Sequence, residues 1–402
     1  MTSDIVRTLL WVRGLRAFGD GYVSLLLPVY LLSLGLTPLQ VGIIATGTLL
    51  GSGVLTLLVG LHAHRIRYRT LLLGASALMT VTGVGFAGAT SFWPLLVIAV
   101  VGTLNPSSGD VSIFLPLEHA VLSHVVEDRH RTTAFARYSL VGALVGALGA
   151  LFAGLPEIVA AVTNLNVSAA CQLMFLLYGV LGVTSGLIYR RLPASIAFDP
   201  QTPSAPLCQS KRIVYTLAAL FSLDAFAGGF IVQSLLALWL LDKFHLSLVE
   251  AGLIFFWTGV FSAFSYLLAA RIAGRIGLIN TMVFTHLPSS VLMVLVPFAP
   301  TLAWAISLLL MRSALSQMDV PTRSSYVMAV VSSGERAAAA SITSVPRSLA
   351  SAVSPLIAGY LLGLSSFGWP LIIAGGIKIA YDLLLLTTFR TVRPPEEVSI
   401  RR

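Results

Sequence analysis

Charge is what this sequence has least of: Asp, Glu, Lys and Arg make up 10% of its 402 residues, against 56% hydrophobic. With a mean hydropathy of +0.90, the chain has too little polar surface to cover a water-exposed globule. Cysteine is almost as scarce. Cys171 and Cys208 lie far apart, one in an apolar stretch and one in a polar one, and no disulfide is expected. The strict alternation of a membrane barrel is missing. So is any Gly-x-x-x-x-Gly-Lys-Ser/Thr loop, which excludes an ATP motor within this chain. Neither a His-Glu-x-x-His element nor a soluble catalytic domain is present, so an enzyme is not expected and no cofactor is called for. The first apolar stretch lacks a small-residue cleavage site and reads as a retained helix.

What is there is a series of apolar stretches, most about 20 residues or longer, the length a helix needs to cross about 30 Å of hydrocarbon. They fall near residues 8–33, 40–61, 70–90, 94–121, 132–155, 168–189, 213–240, 247–270, 278–298, 301–330, 337–363 and 367–389. The predicted fold class is an all-α polytopic membrane protein with twelve transmembrane helices in two pseudo-symmetric six-helix bundles. One polar, Pro-rich run, RRLPASIAFDPQTPSAPLCQSKR, interrupts them. It divides the chain into an N-terminal half (1–189), a linker (190–212) and a C-terminal half (213–402). Lys and Arg collect in alternate loops, around Arg65–Arg69, Arg129–Arg131, Arg190–Arg212, Arg271–Arg275 and Arg336, while the opposite loops hold only Lys243. That asymmetry predicts cytoplasmic termini in an inner (plasma) membrane. It also accounts for the net charge of +9 without nucleic-acid binding.

The halves repeat one another. Thr37, Gln40 and Gly42 fall where Ser247, Glu250 and Gly252 fall, and Arg16-Ala-Phe-Gly-Asp20-Gly-Tyr22 lies opposite Asp224-Ala-Phe-Ala-Gly-Gly-Phe. The second-to-third loop, Gly60 to Arg69, answers the eighth-to-ninth, Ala270 to Gly277, with His64 and Arg65 opposite Gly274 and Arg275; Gly60, Arg65 and Arg69, and Arg275 and Gly277, are the residues that recur in the pattern below. With the central linker and paired basic loops, the chain resembles the major facilitator superfamily of secondary transporters over nearly its whole length. The family's loop pattern, Gly-x-x-x-Asp-Arg-x-Gly-Arg-Lys/Arg, is degenerate: His64 and Gly274 stand where the Asp would be, and Arg67 replaces a Gly. The resemblance implies alternating access about a midplane site, with the first, fourth, seventh and tenth spans lining the path.

A charge at mid-bilayer costs at least about 2.5–3.5 kcal/mol, so each one inside a span needs a partner, water or a function. Arg13, Arg16 and Asp20 share a face of the first span; Thr103, Ser107 and Asp110 share one in the fourth. Arg312, Ser316, Asp319, Arg323 and Tyr326 form one polar stripe down the tenth. Candidate substrate-binding residues are Arg16, Tyr22, Ser107, Arg312, Ser316, Arg323 and Tyr326, because a guanidinium fork suits carboxylate or phosphate. Asp20, Asp110, Asp224 and Asp319 are candidate proton carriers. The alternative reading makes the same residues internal ion pairs, such as Arg16 with Asp20 and Asp319 with Arg323. Arg65, Arg69, Arg129, Arg137, Arg275, Arg336 and Arg347 read as gating or structural charges. Arg13 is expected to snorkel to the interface. Lys378 and Asp382 are expected to pair across one turn. His119 and His124 diverge on a helix, and no metal site is expected.

Together these features predict a monomeric secondary transporter for a small organic, anionic solute, working by proton-coupled efflux. The rivals are an uptake symporter or facilitator for an organic anion, and a membrane sensor that has lost transport. The expected partners are the small-molecule substrate, protons and the lipid bilayer.

Overall fold

A computed structural model describes residues 2–62, 66–107, 112–126, 128–193, 210–331, 335–390 and 392. The N-terminal half runs through α1 (Thr2–Ser33), α2 (Pro38–His62), α3 (Tyr68–Gly88), α4 (Phe92–Val101), α5 (Phe114–Val125), α6 (Asp128–Phe152), α7 (Leu155–Val162) and α8 (Val167–Tyr189). The C-terminal half holds α9 (Lys211–Gly229), α10 (Gln233–Phe244), α11 (Leu248–Ile276), α12 (Leu278–Leu295), α13 (Leu302–Ser316), α14 (Asp319–Ala329), α15 (Arg336–Leu364) and α16 (Trp369–Phe389). Among the described residues, ten stretches are long and apolar enough to cross a membrane, α9 with α10 counting as one and α6 running on through α7 as another. The fourth span is made of α4 and α5, and the tenth of α13 and α14, which completes a twelve-helix plan.

The sequence repeat has a physical basis in helix capping. Before α2, the Thr37 amide donates to Gln40 Oε1 (2.8 Å) and the Gln40 amide donates back to Thr37 Oγ1 (3.3 Å). Before α11, the Ser247 amide donates to Glu250 Oε2 (2.9 Å) and the Glu250 amide to Ser247 Oγ (3.2 Å). Both are capping boxes, in which two orphan amide donors at a helix start are satisfied reciprocally. Two residues upstream of each, the chain turns through a left-handed residue, Gly35 (φ 81°) and His245 (φ 52°). His245 adopts it despite its side chain, a conformation ordinarily favouring glycine.

The fourth, seventh and tenth spans are broken. Irregular backbone at membrane depth survives only where its polar groups find partners inside the protein. At the first break the Thr103 amide donates to Thr82 Oγ1 (3.2 Å), and Tyr178 donates to the Thr103 carbonyl (3.1 Å). The α10 start uses the same region, with the Ser234 amide donating to the Pro106 carbonyl (3.0 Å). At the α13–α14 break, the Gln317 amide donates to Ser265 Oγ (3.2 Å) and Tyr266 donates to Gln317 Oε1 (2.9 Å). The continuous tenth helix expected over 301–330 is therefore replaced by two pieces. The register that linked Arg312 to Tyr326 does not run through.

The chain forms two compact units. The first comprises Met1–Pro200, Val232–Gly259 and Pro355–Ser366; the second comprises Gln201–Ile231, Val260–Ser354 and Phe367–Arg402. In lipid, apolar tails compete equally for apolar side chains, so close approach through small residues does much of the packing. In the first unit Gly21 lies against the Gly146 carbonyl, Gly42 against Pro355 and Gly359, and Gly252 against the Ala150 carbonyl. The second unit is centred on Val214, Leu217, Phe221, Met282, Tyr326, Tyr381 and Phe389. Trp11, Trp93, Val81 and Phe264 leave broad apolar surfaces exposed, as lipid-facing helices require.

Candidate functional site

Each unit buries its own charge cluster. In the first, Arg16 on α1 is 1% exposed and its Nη2 donates to Glu118 Oε2 on α5. Tyr138 on α6 donates to the same carboxylate oxygen, and Tyr189 at the end of α8 donates to Glu118 Oε1 (2.5 Å). The Phe114 ring lies 4.1 Å from the guanidinium carbon. Glu118 thus receives donors from three helices and is itself fully buried. One turn along α1, Asp20 accepts a long bond from Tyr178 (3.4 Å), which belongs to α8. Arg13 is 5% exposed and lies over the Tyr138 ring at 5.0 Å, beside Gly142, whose missing side chain makes the space.

The second cluster joins four helices. Asp224 on α9 accepts from Lys378 Nζ on α16 (2.6 Å) through Oδ1 and from Arg323 Nη2 on α14 (2.7 Å) through Oδ2. Arg323 also donates to Asp319, one turn earlier on α14. On α12, His286 holds Asp382 through Nδ1, 3.0 Å from both carboxylate oxygens. Its Nε2 lies 3.5 Å from Lys378 Nζ and 3.7 Å from Asp224 Oδ1. Lys378 and Asp382 therefore do not pair with each other: their helix turns one towards α9 and the other towards α12. Among the described residues, Arg323 Nε and Nη1 and the Tyr381 hydroxyl are buried without a hydrogen-bond partner. Arg347 on α15 is exposed, with Arg323, Asp224, Asp319 and Tyr381 in its electrostatic field.

Arg312 stands apart. It is half-buried on α13, its Nε is enclosed without an acceptor, and among the described residues no acid partners it. Its backbone carbonyl accepts from Ser289 on α12 (3.3 Å).

The other nominated residues separate by position. Tyr22 is fully buried and donates to the Met174 carbonyl (3.1 Å). Tyr326 is equally buried and donates to the Val392 carbonyl (3.0 Å). Ser107 is tied to Asn105 Oδ1 through its amide (3.1 Å) and hydroxyl (2.8 Å). Ser316 donates to the Ser313 carbonyl within its own helix (3.4 Å). Asp319 and Arg323 do pair, as the structural alternative held, whereas Arg16 takes Glu118 rather than Asp20. Asp110 and Arg65 lie outside the described residues, as does the side chain of Arg129. Arg69 is half-buried, Arg137 and Arg275 are exposed, and Arg336 Nε donates to the Met328 carbonyl (3.2 Å). Sequence reasoning passed over His286, Tyr138 and Tyr189. The available signal for His286 was that it is the one ionisable residue in α12.

A family model described as Major Facilitator Superfamily matches residues 9–316 and 217–402. The chain belongs to that superfamily. A relative from Saccharomyces cerevisiae, "Uncharacterized membrane protein YJR124C", is 24% identical over 95% of this chain and 93% of its own. Among solved structures, the nucleoside transporter NupG superposes with a TM-score of 0.72 at 14% identity, covering 96% of this chain and 99% of its own. The human organic anion transporter MFSD10 (TETRAN) superposes at 0.69 with 17% identity, covering 96% and 99%. At these identities the likeness fixes the fold of this facilitator and leaves its substrate to its own residues.

Proposed function

We propose that this membrane transporter carries a small organic anion by proton-coupled alternating access across the inner membrane, with both termini cytoplasmic and export as the working direction. The observation that carries the reading is Arg312: a guanidinium on a membrane helix, half-enclosed, with no acidic partner among the described residues. A permanent cation in such surroundings is costly unless an anion joins it, and its planar fork of donors suits a carboxylate or phosphate. The unpartnered Nε and Nη1 of Arg323, with Arg347 beside them, add a second cationic edge. The closed contacts of Arg16, Tyr22 and Tyr326 support a scaffold role for those three. The name of the MFSD10 structure, an organic anion transporter, agrees with this substrate class.

One observation favours uptake symport as a second reading. The bonded network of the second unit sets Asp224 and Asp319 against the cations Arg323 and Lys378, and pairs Asp382 with His286. A proton taken up there makes the network more positive, so that proton and anion would bind together.

The test is the thermal stability of purified protein with benzoate, glycerol phosphate, a neutral sugar and a quaternary ammonium, each at two pH values. Anions at a hundredfold excess over their dissociation constant should stabilise by about 2.7 kcal/mol. Arg312→Ala should abolish that gain and Arg312→Lys should keep part of it. Stabilisation by neutral or cationic compounds that survives Arg312→Ala overturns the anion reading.

A further inference from the structure

Helix α12 carries a single ionisable side chain, His286, and buries it to 5% exposure. Both ring nitrogens are engaged. Nδ1 faces the two oxygens of the fully buried Asp382; an ionised carboxylate only accepts, and opposite one Nδ1 carries the hydrogen. Nε2 is then a lone pair, directed at the Lys378 ammonium (3.5 Å), which has hydrogens to spare after donating to Asp224. The groups around the ring come from every packed neighbour. Asp382, Lys378 and the edge of Tyr381 (5.9 Å between centroids) come from α16, Asp224 from α9, and Arg323 with Asp319 from α14. Helix α13 contributes the Arg312 carbonyl one turn along, at Ser289, and Arg347 of α15 stands at the exposed edge of the cluster.

Resting on the proton-coupled reading above, we infer that the His286–Asp382 pair is the site that takes up and releases the coupling proton. Of the four carboxylates nominated from sequence, Asp224 and Asp319 each already answer a fixed cation, Asp20 accepts from Tyr178, and Asp110 lies outside the described residues. His286 Nε2 holds a lone pair whose only donor among the described residues, Lys378 at 3.5 Å, is already bonded more closely to Asp224 at 2.6 Å. A proton from water bonds to Nε2 and the ring becomes an imidazolium balanced by Asp382. Its new N–H faces Asp224 Oδ1 at 3.7 Å, the oxygen that Lys378 holds at 2.6 Å. Two donors then compete for one acceptor, and two cations lie 3.5 Å apart. Lys378 gives way. Because Asp224 is also the partner of Arg323, the change reaches the cationic edge on α14. Loss of the Nε2 proton to water reverses each step.

The first arm of the test is nuclear magnetic resonance of protein labelled with ¹⁵N-histidine. His286→Gln identifies the ring signal, and His245→Asn, at the end of α10, serves as the assignment control. The His286 signal should report one change of protonation state across the pH range in which the protein stays folded, and Asp382→Asn should displace that change. The second arm adds benzoate to unbuffered protein with a pH dye. Wild type should exchange about one proton per anion bound, its sign giving symport or antiport, and His286→Gln should exchange none. A His286 ring that keeps one state throughout, or a proton exchange that survives His286→Gln, overturns the inference. If no anion binds while His286 titrates in an Asp382-dependent way, the anion reading fails and the proton site stands.

Discussion

Arg16 gives the sharpest contrast between binding and scaffold roles, because its cage is fully closed. Arg16→Ala would leave Glu118, 0% exposed, with two tyrosine hydroxyls but no cation. Removing one partner of a buried pair costs about 3–5 kcal/mol, since the stranded charge keeps its desolvation penalty. Glu118→Gln strands the guanidinium instead, yet keeps a carbonyl acceptor for Tyr138 or Tyr189. Glu118→Leu orphans both hydroxyls as well and adds about 1–3 kcal/mol for each. The order of stability should therefore be wild type, then Glu118→Gln, then Glu118→Leu. Arg16→Met combined with Glu118→Gln should be more stable than the sum of the two single losses predicts, because no charge is left buried. The assay is unfolding of purified protein in detergent followed by intrinsic fluorescence, with all variants in one lipid-detergent mixture. If Arg16→Ala leaves the midpoint unchanged and removes anion stabilisation, Arg16 is a substrate contact and the scaffold argument is refuted.

Asp224→Ala should destabilise by about 3–5 kcal/mol by stranding Lys378 and weakening the hold on Arg323; adding Lys378→Met should recover part of it, read by denaturant unfolding. Glu157 on α7 accepts from the Leu248 amide (2.9 Å) and the Val249 amide (3.4 Å) at the start of α11, so Glu157→Ala should cost about 0.5–2 kcal/mol. Glu157→Gln should lose less in the same melt, and equal losses would deny the cap. Gly21→Ala would press a methyl group against the Gly146 carbonyl, separating α1 from α6. Its cost, about 1–3 kcal/mol, should appear as reduced monodisperse yield, whereas Gly53→Ala, facing open space, should be neutral.

The membrane plan was legible because its signals are local or repetitive. Hydropathy marks spans, and Thr37/Gln40 and Ser247/Glu250 declare helix starts within four residues. The pairing of charges was not legible. Lys378 and Asp382 have the spacing of an intrahelical pair, but α16 sits between α9 and α12 and each charge finds a better partner across a helix gap. The same spacing rule did hold for Asp319 and Arg323, both on α14. The stripe drawn from Arg312 to Tyr326 assumed a continuous helix, and the break at Gln317–Met318 removes that assumption. His286 offered no pattern of charges, being the one ionisable residue in α12. Its meaning lies wholly in residues distant along the chain.

The Pro-rich run over 190–212 invites a cut, and the packing says what such a cut would release. A fragment ending near residue 200 would lack Val232–Gly259 and Pro355–Ser366, which complete its compact unit. Gly42 would lose Pro355 and Gly359, Ala150 would lose Gly252, and Ala147 would lose Gly259. Those small-residue faces are shaped for backbone, which lipid tails cannot imitate. Two polypeptides synthesised from separate genes should therefore find each other in the bilayer and rebuild the carrier, and a cell given only one of them should degrade it.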